Sequence, residues 1–152
     1  MNTITYRTAE TSDYPAIHAL LMEFATYIIS PDYVSNTPEQ MLSDQEYFRC
    51  MIALDGETIV GFATYFIAYY SWSGKAMYLD DLYVRADYRG NGIGRTLFEH
   101  IIQTAQQEKC KKLRWQVSNW NTKAIEFYTK MGAAIDPVEI NCTLMIGKVG
   151  AE

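Results

Sequence analysis

The chain has 152 residues, of which 49% are hydrophobic and 20% are charged, and its formal net charge is −5 at pH 7. This length and composition predict a single soluble domain over residues 1–152 and exclude a disordered chain. No run of basic residues stands out, so we expect no nucleic-acid partner, whereas a cationic small molecule is compatible with the acidic charge.

The sequence also predicts a cytoplasmic protein with no membrane partner and no metal. Residues 1–10 lack the apolar core of a signal peptide, and no later segment is long and apolar enough to span a membrane. The three cysteines lie far apart without a CxxC pair, and the two histidines lack HExxH spacing. Neither a disulfide framework nor a zinc site is therefore expected.

The first half of the chain predicts two helices and three strands. Residues 3–9 alternate as in a strand, and apolar residues at helical spacing follow over residues 12–27. Thr37, with Gln40 three residues later, resembles a capping box and predicts a short second helix. Residues 50–70 predict a β-hairpin that turns at Asp55-Gly56.

The second half alternates strands and helices. It predicts strands over residues 76–84 and 112–117, helices over 92–109 and 121–131, a last strand over 140–149 and one more short strand near 133–135. The order of elements indicates some parallel strands, while the hairpin requires antiparallel ones. We therefore predict an α/β fold (α+β in some schemes) with a mixed, mostly antiparallel central sheet and helices on both faces.

Three glycines within five residues precede the helix at residues 92–109. A helix begins with unpaired N–H groups, and glycines allow several of them to point at one anion. A Walker loop requires a lysine after its last glycine, and this chain has none there. A dinucleotide-binding fingerprint requires a third glycine at the position that Arg95 occupies. The spacing is R-x-x-G-x-G, which is given by Arg89, Gly90, Asn91, Gly92, Ile93 and Gly94. Taken alone, these residues also fit an ordinary glycine-rich turn.

This segment resembles the pyrophosphate-binding loop of the GNAT superfamily of N-acetyltransferases. An aromatic strand, YLDDLYV, runs into it, and NWNTKAIEFYTKMGA downstream is similar to a later motif of the same superfamily. The resemblance covers nearly the whole chain and implies an acyl-CoA N-acyltransferase (GNAT) fold. It also implies acetyl-CoA as the acetyl donor, held by the loop from Arg89 to Arg95.

The same resemblance assigns further cofactor contacts. The backbone of Leu82, Tyr83 and Val84 is expected to bind the pantetheine arm where a bulge splays this strand from residues 112–117. Tyr128 is expected to touch the cofactor and to protonate the leaving sulfur, although a half-buried core aromatic fits the same spacing. Asn121, as the helix cap, and the neighbouring Lys123 and Ala124 complete the expected cofactor contacts.

Asp80 and Asp81 are the candidate acids for proton transfer from the amine. Alternation along a strand sends their side chains to opposite faces, so that at most one points directly into the cleft unless a bulge intervenes. Asp80 is our candidate for the catalytic base, and a strand-end acid that only solvates or forms a salt bridge is the alternative.

Within the superfamily the chain is most similar to the diamine (spermidine/spermine) N-acetyltransferases, through WSGKAMYLDDLYVRADYRGNGIG and AIEFYTKMGA. This similarity implies substrate contacts from Tyr27, Trp72, Asp80 and Asp81, and a homodimer. Polyamine-specific members carry acids where this chain has Ile28 and Tyr70, so a monoamine, a short diamine or a lysine-like amine fits as well as spermine. A protein N-terminus or lysine as the acceptor, a non-catalytic acyl-CoA-binding module and a dinucleotide-binding domain are the alternatives.

Overall fold

The structure, a computed structural model, describes residues 2–28 and 31–146. The chain forms two compact units, Met1–Gln116 and Val117–Glu152. The single domain expected from the sequence stays a prediction.

The first unit contains the whole sheet. Its elements follow in the order β1 (Ile4–Thr8), α1 (Tyr14–Tyr27), α2 (Pro38–Ser43), β2 (Arg49–Asp55), β3 (Thr58–Tyr70), β4 (Gly74–Val84), α3 (Ile93–Gln107) and β5 (Leu113–Arg114). The second unit contributes α4 (Thr122–Lys130). Thr37 caps α2 as predicted, because its Oγ1 accepts the backbone N–H of Gln40 at 3.1 Å.

The strands lie in the order β1-β2-β3-β4-β5. Neighbours are antiparallel except for β4 and β5, which are parallel. Gly56 lies in the turn between β2 and β3 with a φ of 62°, a conformation that glycine adopts without steric cost. The predicted hairpin and the mixed, mostly antiparallel sheet are confirmed.

Helices cover both faces of this sheet, as predicted. Phe62 of β3 belongs to the buried cluster that α1 and α2 build with β2. Its neighbour Gly61 faces α3, because a Cβ on Gly61 would lie 3.3 Å from Cδ1 of Leu97. Successive strand residues point to opposite faces, so α1 and α3 lie on opposite sides.

The end of the sheet differs from the sequence prediction. The strand expected over residues 112–117 is limited to Leu113–Arg114. The strands expected near 133–135 and over 140–149 are absent from residues 133–135 and 140–146, and residues 147–149 lie outside the described part. Alternating apolar residues form a strand only where a paired edge is available, and no described strand pairs with them.

No helix within residues 2–28 or 31–146 is long and apolar enough to cross a membrane.

Candidate active site

A β-bulge in the centre of the sheet places two carboxylates side by side. Thr64 of β3 pairs with Asp81, and Tyr65 pairs with Leu79, so Asp80 is the extra residue on β4. A bulge reverses the alternation of side chains on the strand that carries it. Both aspartates consequently line the same cavity, instead of pointing to opposite faces as regular alternation predicts.

The cavity beside the bulge, which we call the aspartate cavity, has a volume of about 170 Å³. Drug-sized ligands occupy pockets of about 300–1,000 Å³, so this cavity suits a short and narrow group. Apart from the two aspartates its lining is mostly apolar and aromatic, from Ile17, Leu21, Met41, Tyr47, Phe48, Phe62, Tyr65 and Phe66, with Asn36, Arg49 and Thr64 as the other members. An amine on an aliphatic chain matches this chemistry.

Asp81 is the more protected of the two carboxylates. The hydroxyl of Thr64 donates to its Oδ2 at 2.6 Å, and the backbone N–H of Asp81 donates back to the same hydroxyl at 3.0 Å. Burial and the negative charge of Asp80 raise the pKa of Asp81 to about 6, against the opposing effect of the Thr64 hydrogen bond. The residue Asp80 is exposed as a whole, but the protein atoms that surround its carboxyl partly exclude water from it. This desolvation raises the pKa of Asp80 as well.

Beyond the bulge, β4 has one edge without a strand partner. Leu82, Tyr83 and Val84 pair with β3, whereas the pairing with β5 ends at Tyr78 and Arg114. Within the described residues no strand continues along that second edge. This part of β4 is thus unpaired along one edge among the described strands, whereas the bulge lies on its paired side, against β3. An extended ligand chain could add along the unpaired edge, and the predicted contact with the pantetheine arm stays a prediction. The carbonyl of Val84 already accepts the Nε–H of Arg89 at 2.9 Å.

The loop over residues 89–95, called the glycine loop from here on, has the geometry of an anion site. Gly90 and Gly92 have φ angles of 82° and 76°, and a Cβ on either would meet no atom within 4 Å. Their conformation is the left-handed one that glycine tolerates, so the loop leaves open space above its backbone.

The first amides of α3 face that open space. In the described part of the chain, no protein group accepts from the N–H groups of Gly92, Ile93, Gly94 and Arg95. The positive end of the helix dipole lies at the same place. Asn91 holds the loop in shape, because its Nδ2 donates to the carbonyl of Tyr88 at 3.0 Å. Gly94 packs against β4, since its Cβ would lie 3.7 Å from Val84.

The carboxylate pair, the unpaired edge of β4 and the glycine loop occur together in a chain that matches a known protein family. A model of the Acetyltransferase (GNAT) family matches residues 14–133. The chain belongs to this family.

Relatives with curated names agree. Thialysine N-epsilon-acetyltransferase of Sus scrofa is 30% identical over 145 residues, which cover 88% of this chain and 85% of that protein. Spermidine/spermine N(1)-acetyltransferase-like protein 1 of Homo sapiens is 35% identical over 144 residues, covering 88% of this chain but 21% of the human protein. The predicted resemblance to the diamine group and the predicted N-acetyltransferase activity are thus confirmed.

Solved structures confirm the fold. An integron cassette protein from the mobile metagenome of V. cholerae superposes with a TM-score of 0.80 at 20% identity, covering all of both chains. At this identity the likeness concerns architecture alone, and it matches the GNAT fold expected from the sequence.

The second unit of this acetyltransferase carries the predicted Tyr128 and its helix. Asn121 caps α4, because its Oδ1 accepts the N–H of Ala124 at 3.3 Å, while Lys123 is exposed. Tyr128 is buried, and burial raises its pKa to about 12, so the phenol keeps its proton at neutral pH. These features are compatible with a proton donor, and the catalytic role stays a prediction.

The predicted substrate contacts are only partly brought together. Asp80 and Asp81 line the aspartate cavity, whereas Tyr27 and Trp72 do not. The ring of Tyr27 lies under the guanidinium of Arg89, 4.5 Å from its centroid, and so contacts the glycine loop instead. Trp72 is fully exposed in the turn between β3 and β4.

Sequence reasoning missed Thr64 and the apolar wall formed by α1 and α2. Thr64 is the one buried polar residue among those the structure describes, and it interrupts an otherwise apolar and aromatic strand. That interruption was a usable signal, because a buried hydroxyl requires a hydrogen-bond partner. Ile17 and Met41 carry no comparable signal, since they look like any core residue.

Proposed function

We propose that this enzyme transfers the acetyl group of acetyl-CoA to the primary amine of a small molecule by direct attack in a ternary complex. The observation that carries the proposal is the position of two carboxylates at one bulge, beside an apolar cavity and on the strand that leads to the glycine loop. An amine must lose a proton before it attacks, and a carboxylate with a pKa near 6 is suited to accept it.

The glycine loop has the features needed to bind the pyrophosphate of acetyl-CoA. Amides at the start of α3 supply several hydrogen-bond donors to one anion, and Arg89 and Arg95 add positive charge on either side. The backbone of residues 82–84 would align the pantetheine arm along the open edge of β4. When bound, acetyl-CoA supplies an acetyl group activated as a thioester.

The protein residues then divide the remaining tasks. The carboxylate pair takes the proton of the amine, with Asp80 as the candidate named from the sequence. A backbone N–H of residues 82–84 would donate to the thioester oxygen and would stabilise the negative charge that develops there. Tyr128 keeps its phenolic proton at neutral pH and would be the group that donates a proton to the departing sulfur.

The acceptor is more consistent with a lysine-like amine or a short amine than with spermine. Tyr70 occupies a position where polyamine enzymes carry an acid, and two cations lie over its ring. Nζ of Lys112 is 4.6 Å and Cζ of Arg114 is 5.4 Å from its centroid. Positive charge at this place opposes a polycation and is compatible with an acceptor that carries a carboxylate.

A thiol-release assay tests the function. Purified protein and acetyl-CoA are incubated with lysine, thialysine, putrescine, spermine, simple monoamines and peptides. We expect turnover of small amines, with kcat/KM lower for spermine than for lysine-like acceptors. Turnover of peptides alone would point to a protein acetyltransferase, and acetyl-CoA binding without any turnover would point to a non-catalytic module. A fluorescence titration with NADH tests the dinucleotide alternative.

The homodimer and the cytoplasmic location expected from the sequence belong to this proposal. Sedimentation analysis tests the first, and fractionation of cells that express the native chain tests the second.

A further inference from the structure

Thr64 lies where an apolar residue would be expected. It occupies the middle of β3, between Ala63 and Tyr65, and it is 7% exposed. A buried hydroxyl is costly unless it forms hydrogen bonds. The presence of a threonine at this buried position is therefore explained by the hydrogen bonds of its hydroxyl and not by apolar packing.

In the described part of the chain, both hydrogen bonds of the Thr64 hydroxyl involve Asp81. Oγ1 accepts the backbone N–H of Asp81, so its own proton is available for a second partner, and that partner is Oδ2 of the same residue at 2.6 Å. A short O–H···O⁻ bond of this length is typical of a charge-assisted interaction. Together the two contacts fix the carboxylate relative to the strand at the bulge.

We propose, on the basis of the function proposed above, that Thr64 is a positioning residue that makes Asp81 the proton acceptor of the carboxylate pair. The hydroxyl of Thr64 holds Oδ2. Oδ1 accepts from no protein group in the described part of the chain and is the oxygen that receives the proton. An ammonium proton moves to Oδ1, the carboxylate becomes a neutral acid, and the amine nitrogen regains the lone pair with which it attacks.

The charges around Asp81 give this arrangement its pH dependence. Burial, and after it the charge of Asp80 on the same strand, raise the pKa of Asp81 to about 6, while the hydrogen bond from Thr64 lowers it. Cys50 of β2 pairs with Thr64 and interacts with the charge of this carboxyl. Tyr47, Arg49 and Tyr65 are the other titratable residues that line the cavity. α1 and α2 contribute only apolar side chains to the lining.

Removal of the Thr64 hydroxyl is expected to move the pKa of Asp81 upwards. Above pH 6 the carboxylate of Asp81 is ionised and can accept a proton, and below pH 6 it loses that capacity. The hydroxyl of Thr64 binds the ionised form, so its removal raises the pKa of Asp81 further. The acid limb of the rate profile then moves to higher pH.

The test compares Thr64→Val, which keeps the shape but removes the hydroxyl, with Thr64→Ser, which keeps it. We measure kcat between pH 5 and 9 with acceptor and acetyl-CoA saturating. In Thr64→Val the midpoint of the acid limb should move to a pH that is higher by about half to one unit, and kcat on the alkaline plateau should change little. Thr64→Ser should restore the wild-type limb. An unchanged limb in Thr64→Val, a loss equal at every pH, or a serine variant that behaves like the valine variant would overturn the proposal.

A ¹³C NMR titration of aspartate carboxyl groups supplies a readout that needs no turnover, with Asp81→Asn to assign the signal. The Asp81 signal should titrate at higher pH in Thr64→Val than in wild type, and equal midpoints would overturn the proposal. An enzyme that acetylates no amine while its Asp81 midpoint still shifts would refute the proposed function and leave the link between Thr64 and Asp81 intact.

Discussion

The glycine loop and the aspartate bulge are built in opposite ways. The loop consists of one continuous segment whose backbone amides form the proposed site, and the side chain of Asn91 keeps that backbone in shape. The bulge joins residues 17 positions apart, and its chemistry comes from the side chains of Thr64, Asp80 and Asp81. The loop is thus sensitive to backbone conformation, whereas the bulge is sensitive to strand register and to single polar atoms.

Neutralising a carboxylate at the bulge should lower kcat more than any other change considered. Asp81→Asn keeps the shape of the side chain but cannot take a proton, so we expect kcat at pH 7 to fall about 10³-fold. Asp80→Asn should lower kcat about tenfold, because it removes a charge that raises the pKa of Asp81 rather than the proton acceptor itself. Acetyl-CoA affinity, measured by calorimetry, should change little in either variant. If Asp80→Asn is the more damaging substitution, the base is Asp80, as the sequence suggested.

A substitution in the loop should act on binding and not on chemistry. Gly92→Leu places a side chain above the amides at the start of α3, and the dissociation constant for acetyl-CoA should rise at least about 100-fold. Gly56→Leu is the matched control, because Gly56 also has a left-handed φ but lies in the turn between β2 and β3. Both variants should lose about 1–2 kcal/mol of unfolding free energy through backbone strain. Undiminished cofactor binding by Gly92→Leu would refute the loop as the pyrophosphate site.

Substitution of Tyr128 in the second unit should lower kcat by a smaller factor. Tyr128→Phe removes a phenol whose pKa is raised to about 12 by burial. A thiolate of ordinary pKa leaves without much help, so kcat should fall only about tenfold, with acetyl-CoA affinity unchanged. Steady-state kinetics and calorimetry on the same preparation separate the two quantities. Wild-type kcat in this variant would remove Tyr128 as the acid.

The smallest effect concerns stability. The folded-state pKa of Asp81 lies near 6, above its ordinary value of 3.8, so the ionised carboxylate destabilises the folded protein above pH 6. The penalty disappears as the pH falls from 6 towards 3.8. Asp81→Asn should therefore be more stable than wild type by about 1 kcal/mol at pH 8 and equally stable at pH 4. Denaturant unfolding at both pH values measures this, and a difference that does not depend on pH would contradict it.

Local signals predicted the loop well. A helix start requires only that nearby N–H groups lack partners, and glycines with positive φ act within their own few residues. For this reason Gly90, Gly92 and the first turn of α3 have the expected geometry. The cap at Asn121 and the turn at Gly56 were predictable for the same reason.

Long-range pairing limited the prediction elsewhere. The strand over 140–149 was predicted from alternation alone, but alternation does not supply a partner edge, and residues 140–146 form no strand. Tyr27 and Trp72 were assigned to the substrate from a resemblance. In the structure Tyr27 contacts Arg89 and Trp72 lies exposed in a turn, because the direction of α1 and the length of the β3–β4 hairpin decide what each touches.

The sequence by itself determined the acetyltransferase family, the order of helices and strands as far as α4, and the open backbone geometry at the start of α3, because these depend on motifs and on conformations within a few residues. Only the tertiary structure decided that Asp80 and Asp81 share one cavity and that Thr64 binds Asp81. The physical reason is the register between β3 and β4. One extra residue at position 80 turns alternating side chains to the same face, and nothing local to YLDDLYV specifies which residue of the partner strand lies opposite.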